Sequence, residues 1–236
     1  MSMAATLLTT ALNKHSPGFH PVVPFDPAKD RLYRFDFTES NTDLVAEDMA
    51  DTERFATYIN RTLRERGARY GFGGYDEHRT LYARSRHFDS AAQEEPRRLH
   101  LGIDIWGPAG TKVMAPLEGI VHSFAFNNND SDYGATLILT HRLEGIGFHT
   151  LYGHLSLNSL KNLYEGKNII KGEVIAEFGM RFENGNWPPH LHFQVIADLQ
   201  GWKGDYPGVC RFSERDRWLE NCPDPDTILR LRRYVK

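Results

Sequence analysis

The sequence predicts an all-β core of antiparallel sheet, with an α+β N-terminal extension before it and short C-terminal helices after it. Three observations carry this expectation. From His100 onward, short runs rich in β-branched and aromatic residues recur at even spacing, punctuated by Gly, Pro or Asn. The first hundred residues carry instead one strand-like alternation and one long helical pattern. The tail beyond Trp202 is mixed, with two short helical stretches. These shifts divide the chain into an extension over 1–96, a core over 97–200 and a second extension over 201–236.

The apolar run 4–12 reads as an N-terminal helix or tail. No basic residue precedes it, and Lys14 and His15 follow at once, so a secretory signal is not expected and the chain reads as cytoplasmic. Alternation over 33–37 predicts a half-buried strand. A helix is expected over 42–66, with Leu44, Val45, Met49, Phe55, Tyr58, Ile59 and Leu63 on its apolar side. Asn41 or Thr42 would cap its start, and Gly67 would end it. Residues 75–78 read as a turn, 80–83 as a short strand and 89–96 as an acidic surface loop. Strands are then expected over 113–115, 119–125, 135–141, 148–152, 174–178 and 191–196, and helices over 213–219 and 226–234.

Composition excludes several classes. Twenty-eight basic against thirty-one acidic residues leave a net charge of −3, so no electrostatic nucleic-acid footprint is expected. No stretch is long and apolar enough to suggest a membrane span. The two cysteines, Cys210 and Cys222, are too few for a disulfide scaffold or a thiolate zinc site; they could form one bridge but read as two free thiols. The oligomeric state has no sequence signature.

Chemistry concentrates in the histidines, of which there are eleven. Three patterns stand out: His100-Leu-Gly-Ile-Asp104, Tyr152-Gly-His154 and Pro189-His190-Leu-His192. Catalytic zinc takes three protein ligands, from imidazole nitrogens and carboxylate oxygens, and keeps one position open. His190 and His192 alternate on a strand, so both rings project from one face about 6–7 Å apart. One can bind metal while the other works beside it. His100 and Asp104 lie about 13 Å apart on a regular strand, too far to share one ion, unless the chain bends at Gly102. No His-Glu-x-x-His motif supplies a glutamate base, which leaves His154 and His190 as candidates for that role. His122 and His141 read as packed or surface residues, and His149 faces away from His154 on a regular strand.

Taken together, HLGID (100–104), LYGHLS (151–156) and PHLHF (189–193) resemble the lysostaphin-type, or LytM-type, zinc metallopeptidases (metallopeptidase family twenty-three). APLEGIV (115–121) and EGKNIIKGEVIAEFG (165–179) resemble the same family, over roughly residues 97–198. The resemblance implies a duplicated-hybrid-motif-like β fold and one Zn2+ per chain held by His100, Asp104 and His192. It also implies catalytic His154 and His190, and hydrolysis of peptide bonds, mostly in peptidoglycan. Asn184-Gly-Asn-Trp-Pro-Pro189, bulkier and stiffer, replaces the small-residue stretch many members carry before the final His-x-His, which argues against the usual glycine-bridge or cell-wall specificity. Asp132-Tyr133-Gly134, NWPPHLHFQV (186–195), Gly204-Asp-Tyr-Pro-Gly208 and Cys222-Pro-Asp-Pro225 are more similar to a metallopeptidase module of large cytoplasmic fusion proteins. There it lies between an aminoglycoside-phosphotransferase-like kinase and a class III aminotransferase.

Two function classes follow. The first is a zinc-dependent metalloendopeptidase acting on peptidoglycan-derived or related small peptides. Its substrate groove would be walled by Tyr133, Tyr152 and Trp187, with Trp106 nearby. The second is a non-enzymatic peptide- or protein-binding module of the same fold, which predicts a missing ligand or catalytic histidine.

Overall fold

Strands form where the β-branched runs predict them in a computed structural model, which describes residues 3–45, 49, 51–79, 82, 88 and 94–235. Near the N-terminus lie β1 (Leu32–Arg34), β2 (Tyr70–Gly73) and β3 (Glu77–His78). The ligand motif spans β4 (Leu99–His100) and β5 (Ile103–Trp106), followed by β6 (Lys112–Met114). Three longer strands follow: β7 (Gly119–Asn127), β8 (Gly134–Leu143) and β9 (Ile146–Leu155). The last are β10 (Asn168–Ile169), β11 (Val174–Glu177), β12 (His190–Ile196) and β13 (Val209–Cys210).

One eight-stranded sheet runs in the order β1-β2-β5-β12-β9-β8-β7-β10. Its pairs are antiparallel except β1 with β2. Two small sheets, β11-β6 and β13-β4-β3, complete the β structure of the described residues. The expected antiparallel β core is therefore present. Glu144 and Gly145 join β8 to β9 with φ of 50° and 83°, the left-handed pair a tight two-residue hairpin turn requires.

Both extensions are built into this framework. Helix α1 (Met3–His15) and the short α4 (Asp226–Leu229) supply Leu8, Leu12, Ile228 and Leu229 to the cluster that holds Ile105, Leu137, Tyr152 and Phe193. Helix α2 (Thr52–Glu65) buries Phe55, Tyr58, Ile59 and Leu63, and its Phe55 ring sits 5.5 Å from Trp106 on β5. Helix α3 (Arg215–Asn221) leads into Cys222, which is buried beside Leu99, Ile138 and Cys210. Both cysteines are free thiols.

Several boundaries differ from the sequence reading. Within the stretch expected as one helix over 42–66, α2 starts at Thr52, where Asp51 is extended, accepts from the Glu53 and Arg54 amides and caps it. Asn41 instead shapes a turn, its side chain accepting from the Asp43 amide and donating to the Asp36 carbonyl. Residues 46–48 and 50 of that stretch lie outside the described residues, as do most of the strand expected over 80–83 and of the loop expected over 89–96. Of the expected turn over 75–78, Glu77 and His78 form β3. The helix expected over 226–234 breaks at Arg230, whose φ of 55° is left-handed and ends α4.

Candidate metal centre and active site

Three neighbouring strands at the middle of the large sheet, β5, β12 and β9, carry all of the site but His100. In the β5–β12 ladder Asp104 is the direct partner of His192, and Trp106 that of His190. Direct cross-strand partners bring their Cβ atoms to about 5 Å, so Asp104 and His192 converge through pairing alone. His100 reaches them from β4, across an irregular Leu101-Gly102 step that separates β4 from β5. The sequence reading placed a bend at Gly102, and the chain bends there. The residue must be glycine for a further reason: a Cβ would lie 2.5 Å from His192 Cε1 and 2.9 Å from the Phe193 carbonyl oxygen.

The donor atoms of His100, Asp104 and His192 form a small triangle. His100 Nε2 is 2.9 Å from His192 Nδ1, His192 Nδ1 is 3.1 Å from Asp104 Oδ1, and His100 Nε2 is 3.4 Å from the same oxygen. Tetrahedral zinc with bonds near 2.0–2.1 Å places its ligand atoms about 3.3 Å apart, so the triangle fits that ion. Among the described residues this is the group able to hold a metal.

Each histidine around the site is oriented by an acceptor behind it. His100 Nδ1 donates to the Gly74 carbonyl at 2.9 Å, which leaves Nε2 with its lone pair toward the triangle. His192 Nε2 donates to Gln194 Oε1 at 2.9 Å, leaving Nδ1 as the donor atom. Gln194 is held in turn by donating to the Pro207 carbonyl and to Cys222 Sγ. Carbonyl oxygens only accept, so these partners fix each ring's tautomer.

His154 and His190 stand beside the triangle. His154 Nδ1 donates to the Asn184 carbonyl and His190 Nδ1 to the Pro188 carbonyl, both at 2.8 Å, so both Nε2 atoms are free acceptors. Their ring centroids are 4.1 Å apart, and His190 Nε2 lies 4.0 Å from Asp104 Oδ1. Trp106 stacks flat on His190, at 3.9 Å and 17°. His154 arrives by an irregularity the sequence does not advertise. The β8–β9 register slips between Ala135 and Leu137, and His154 takes φ of 61° in the left-handed region. Strain of this kind is concentrated at functional positions.

The same bulge removes Tyr152 from the expected groove. On a regular strand Tyr152 and His154 would share a face. Here Tyr152 is fully buried in the core against Phe193, its hydroxyl accepting from Thr150. Tyr133 and Trp187 do line the cavity over the triangle, which has a volume of about 270 Å³. The Tyr133 hydroxyl is 3.3 Å from His192 Nε2.

Electrostatics keep His100, His154 and His190 neutral. Burial, and then the Arg79 charge, lowers His100 to about 3, and burial lowers His190 to about 4. Burial also holds His154 well below the usual histidine range. For Asp104 burial acts in the opposite direction, but His100 and Arg79 outweigh it and hold the carboxyl well below the ordinary carboxylate range. Arg79 is not marked by any sequence pattern, and Asn184 is marked only as the start of the stretch that replaces small residues, not as a buried support. Asn184 is fully buried and ties the 184–187 loop together through bonds to Gly179 and Trp187.

Comparison with known proteins gives four likenesses. Residues 98–204 match the model of peptidase family M23. The DD-carboxypeptidase/endopeptidase Mpg of Neisseria meningitidis serogroup B is 37% identical over 103 residues, 44% of this chain and 21% of that protein. An uncharacterized metalloprotease of Haemophilus influenzae is 34% identical over 97 residues, 41% of this chain and 18% of that protein. This chain thus spans about a fifth of the length of the curated relatives it matches. Among solved structures, the catalytic domain of lysostaphin from Staphylococcus simulans aligns at 20% identity and a TM-score of 0.40, covering 69% of this chain and 96% of that one. The stretch similar to the peptidase family M23 model, residues 98–204, contains all five histidine and aspartate residues of the site.

Proposed function

We propose that this chain is a zinc-dependent metallopeptidase that hydrolyses amide bonds in short peptides derived from peptidoglycan. The observation that carries this reading is the triangle of His100 Nε2, Asp104 Oδ1 and His192 Nδ1, with each ring's tautomer set by a carbonyl behind it. Two neutral imidazoles and one carboxylate are a donor set suited to Zn2+. When bound, zinc supplies Lewis acidity, making water acidic near neutral pH and polarising a carbonyl.

The remaining chemistry belongs to the chain. His154 and His190 each offer an unprotonated Nε2 next to the triangle, so either accepts a proton from the attacking water. The resulting imidazolium then donates that proton to the departing amine. Trp106, stacked on His190, fixes the plane of that ring. Tyr133 and Trp187 wall the space where the peptide lies.

A cavity of about 270 Å³ supports a short substrate, since pockets for small molecules range from about 300 to 1,000 Å³. The name of the meningococcal relative, a DD-carboxypeptidase/endopeptidase, supports stem-peptide amides as the bonds cut. The proposal includes a cytoplasmic setting and the likeness to a module fused between kinase-like and class III aminotransferase domains. The direct test is turnover of purified muropeptides by chelated and zinc-restored protein, followed by mass spectrometry. Cleavage on restoration alone is expected, and no cleavage of any peptide by zinc-loaded protein refutes the reading.

A further inference from the structure

We propose that Arg79 is a positioning residue of the metal centre, through which the N-terminal extension holds Asp104 as a one-oxygen ligand. This rests on the zinc reading above. Arg79 is 1% exposed and lies outside the stretch matched by the family. Its Nη1 donates to Asp104 Oδ2 at 2.5 Å, whereas Oδ1 faces His192 Nδ1 and His100 Nε2. The two carboxylate oxygens therefore have separate partners.

The guanidinium is itself held on several sides. Nε donates to Glu77 Oε2 at 2.7 Å, Nη1 to the Tyr82 hydroxyl at 3.0 Å and Nη2 to the Gly73 carbonyl at 3.3 Å. Its carbon lies 5.3 Å from the Phe37 ring centre and 5.7 Å from that of Tyr82. Gly74 makes room for it. At φ of 109°, a Cβ there would stand 1.8 Å from Arg79 Nη2 and 2.8 Å from His100 Nδ1.

The chemical consequence concerns the open coordination position. A carboxylate free to turn can engage an ion through both oxygens and fill the place that water or a substrate carbonyl needs. With Oδ2 committed to the guanidinium, only Oδ1 is presented. Glu77 offsets the Arg79 charge, so the cation meets a local field close to that of the Asp104 carboxylate alone. A lysine carries the charge but not the planar fork that holds Oδ2, Glu77 and Gly73 together.

The test measures zinc affinity by chelator competition and the visible spectrum of cobalt-substituted protein, for wild type, Arg79→Lys and Arg79→Met. Loss of positioning predicts a fall in zinc affinity of about 10- to 100-fold in both variants. It also predicts weaker cobalt absorption as coordination expands beyond four. A role through charge alone predicts unchanged affinity for Arg79→Lys and tighter binding for Arg79→Met, and either result overturns the proposal. Should the Arg79 variants not fold, Glu77→Gln and Tyr82→Phe each loosen one support of the guanidinium. A smaller fall in affinity and the same spectral change are then expected, and wild-type values in both overturn it. Wild-type protein that takes up no zinc refutes the metal reading itself, whereas zinc uptake with unaltered variants refutes only the role of Arg79.

Discussion

The imidazoles of His154 and His190 lie with ring centroids 4.1 Å apart, and each keeps its Nε2 unprotonated because Nδ1 donates to a backbone carbonyl. They reach that position by different routes. His190 follows the regular alternation of β12, two residues before His192. His154 depends on a bulge and a left-handed backbone. The two rings thus stand beside the triangle without sharing a backbone constraint.

Replacing either ring by alanine should therefore separate chemistry from metal binding. His154→Ala and His190→Ala are expected to lose about 10²- to 10⁴-fold in turnover. Zinc content, measured by atomic absorption, should stay at the wild-type level in both. Zinc loss in either variant would move that residue into the ligand set.

Asp104→Ala should act on both metal and fold. It removes Oδ1 from the triangle and leaves the buried Arg79 guanidinium without its closest carboxylate. Breaking a buried ion pair from one side costs about 3 kcal/mol or more. Urea unfolding of the metal-free proteins, compared at one pH, should show that loss, and zinc binding should be abolished.

Acid sensitivity should come partly from His141, remote from the triangle. Burial pushes its imidazole down to about 4, while an unfolded histidine titrates near 6.5. Between these values the unfolded chain binds a proton that the folded chain does not. The contribution is thus complete above about pH 6.5 and disappears as pH falls toward 4, an effect of about 3 kcal/mol. Denaturant midpoints should fall over that interval, and His141→Gln should flatten the fall. Parallel curves for the two proteins would exclude His141 as the source.

Gly102→Ala should damage the metal centre without touching a ligand. Its methyl group would press on His192 Cε1 and on the Phe193 carbonyl in the centre of the sheet. Expected is weaker zinc binding in a chelator-competition titration, with the β spectrum by circular dichroism preserved. Full affinity would show that His192 can retreat at no cost.

Much of this centre is written in short-range pattern. The i, i+2 spacing of His190 and His192 puts both on one strand face, and the glycine between His100 and Asp104 marks where the chain must turn. Ladder register is a different matter. That Asp104 stands opposite His192 is fixed by the pairing of β5 with β12, which no local period reveals. Tyr152 was misplaced for the same reason, because a bulge shifts the face that simple alternation assigns. Strand β2 escaped notice since Gly71 and Gly73 dilute its apolar signal, yet it pairs with β5 alongside Asp104. Arg79 was hidden because its partner lies twenty-five positions away and its own neighbours carry no motif.

Four of the five site residues lie on β5, β12 and β9, which have hydrogen-bonded neighbours on both sides within the eight-stranded order, and His100 lies on β4, the middle strand of the three-stranded sheet. Opening of such a sheet proceeds from its rims, and central ladders break only when the whole unit unfolds. Deuterium should accordingly label β1 and β10 early and the amides of His190–Ile196 last. Heat or denaturant would thus dismantle the periphery of this molecule while the residues that do its chemistry stay assembled.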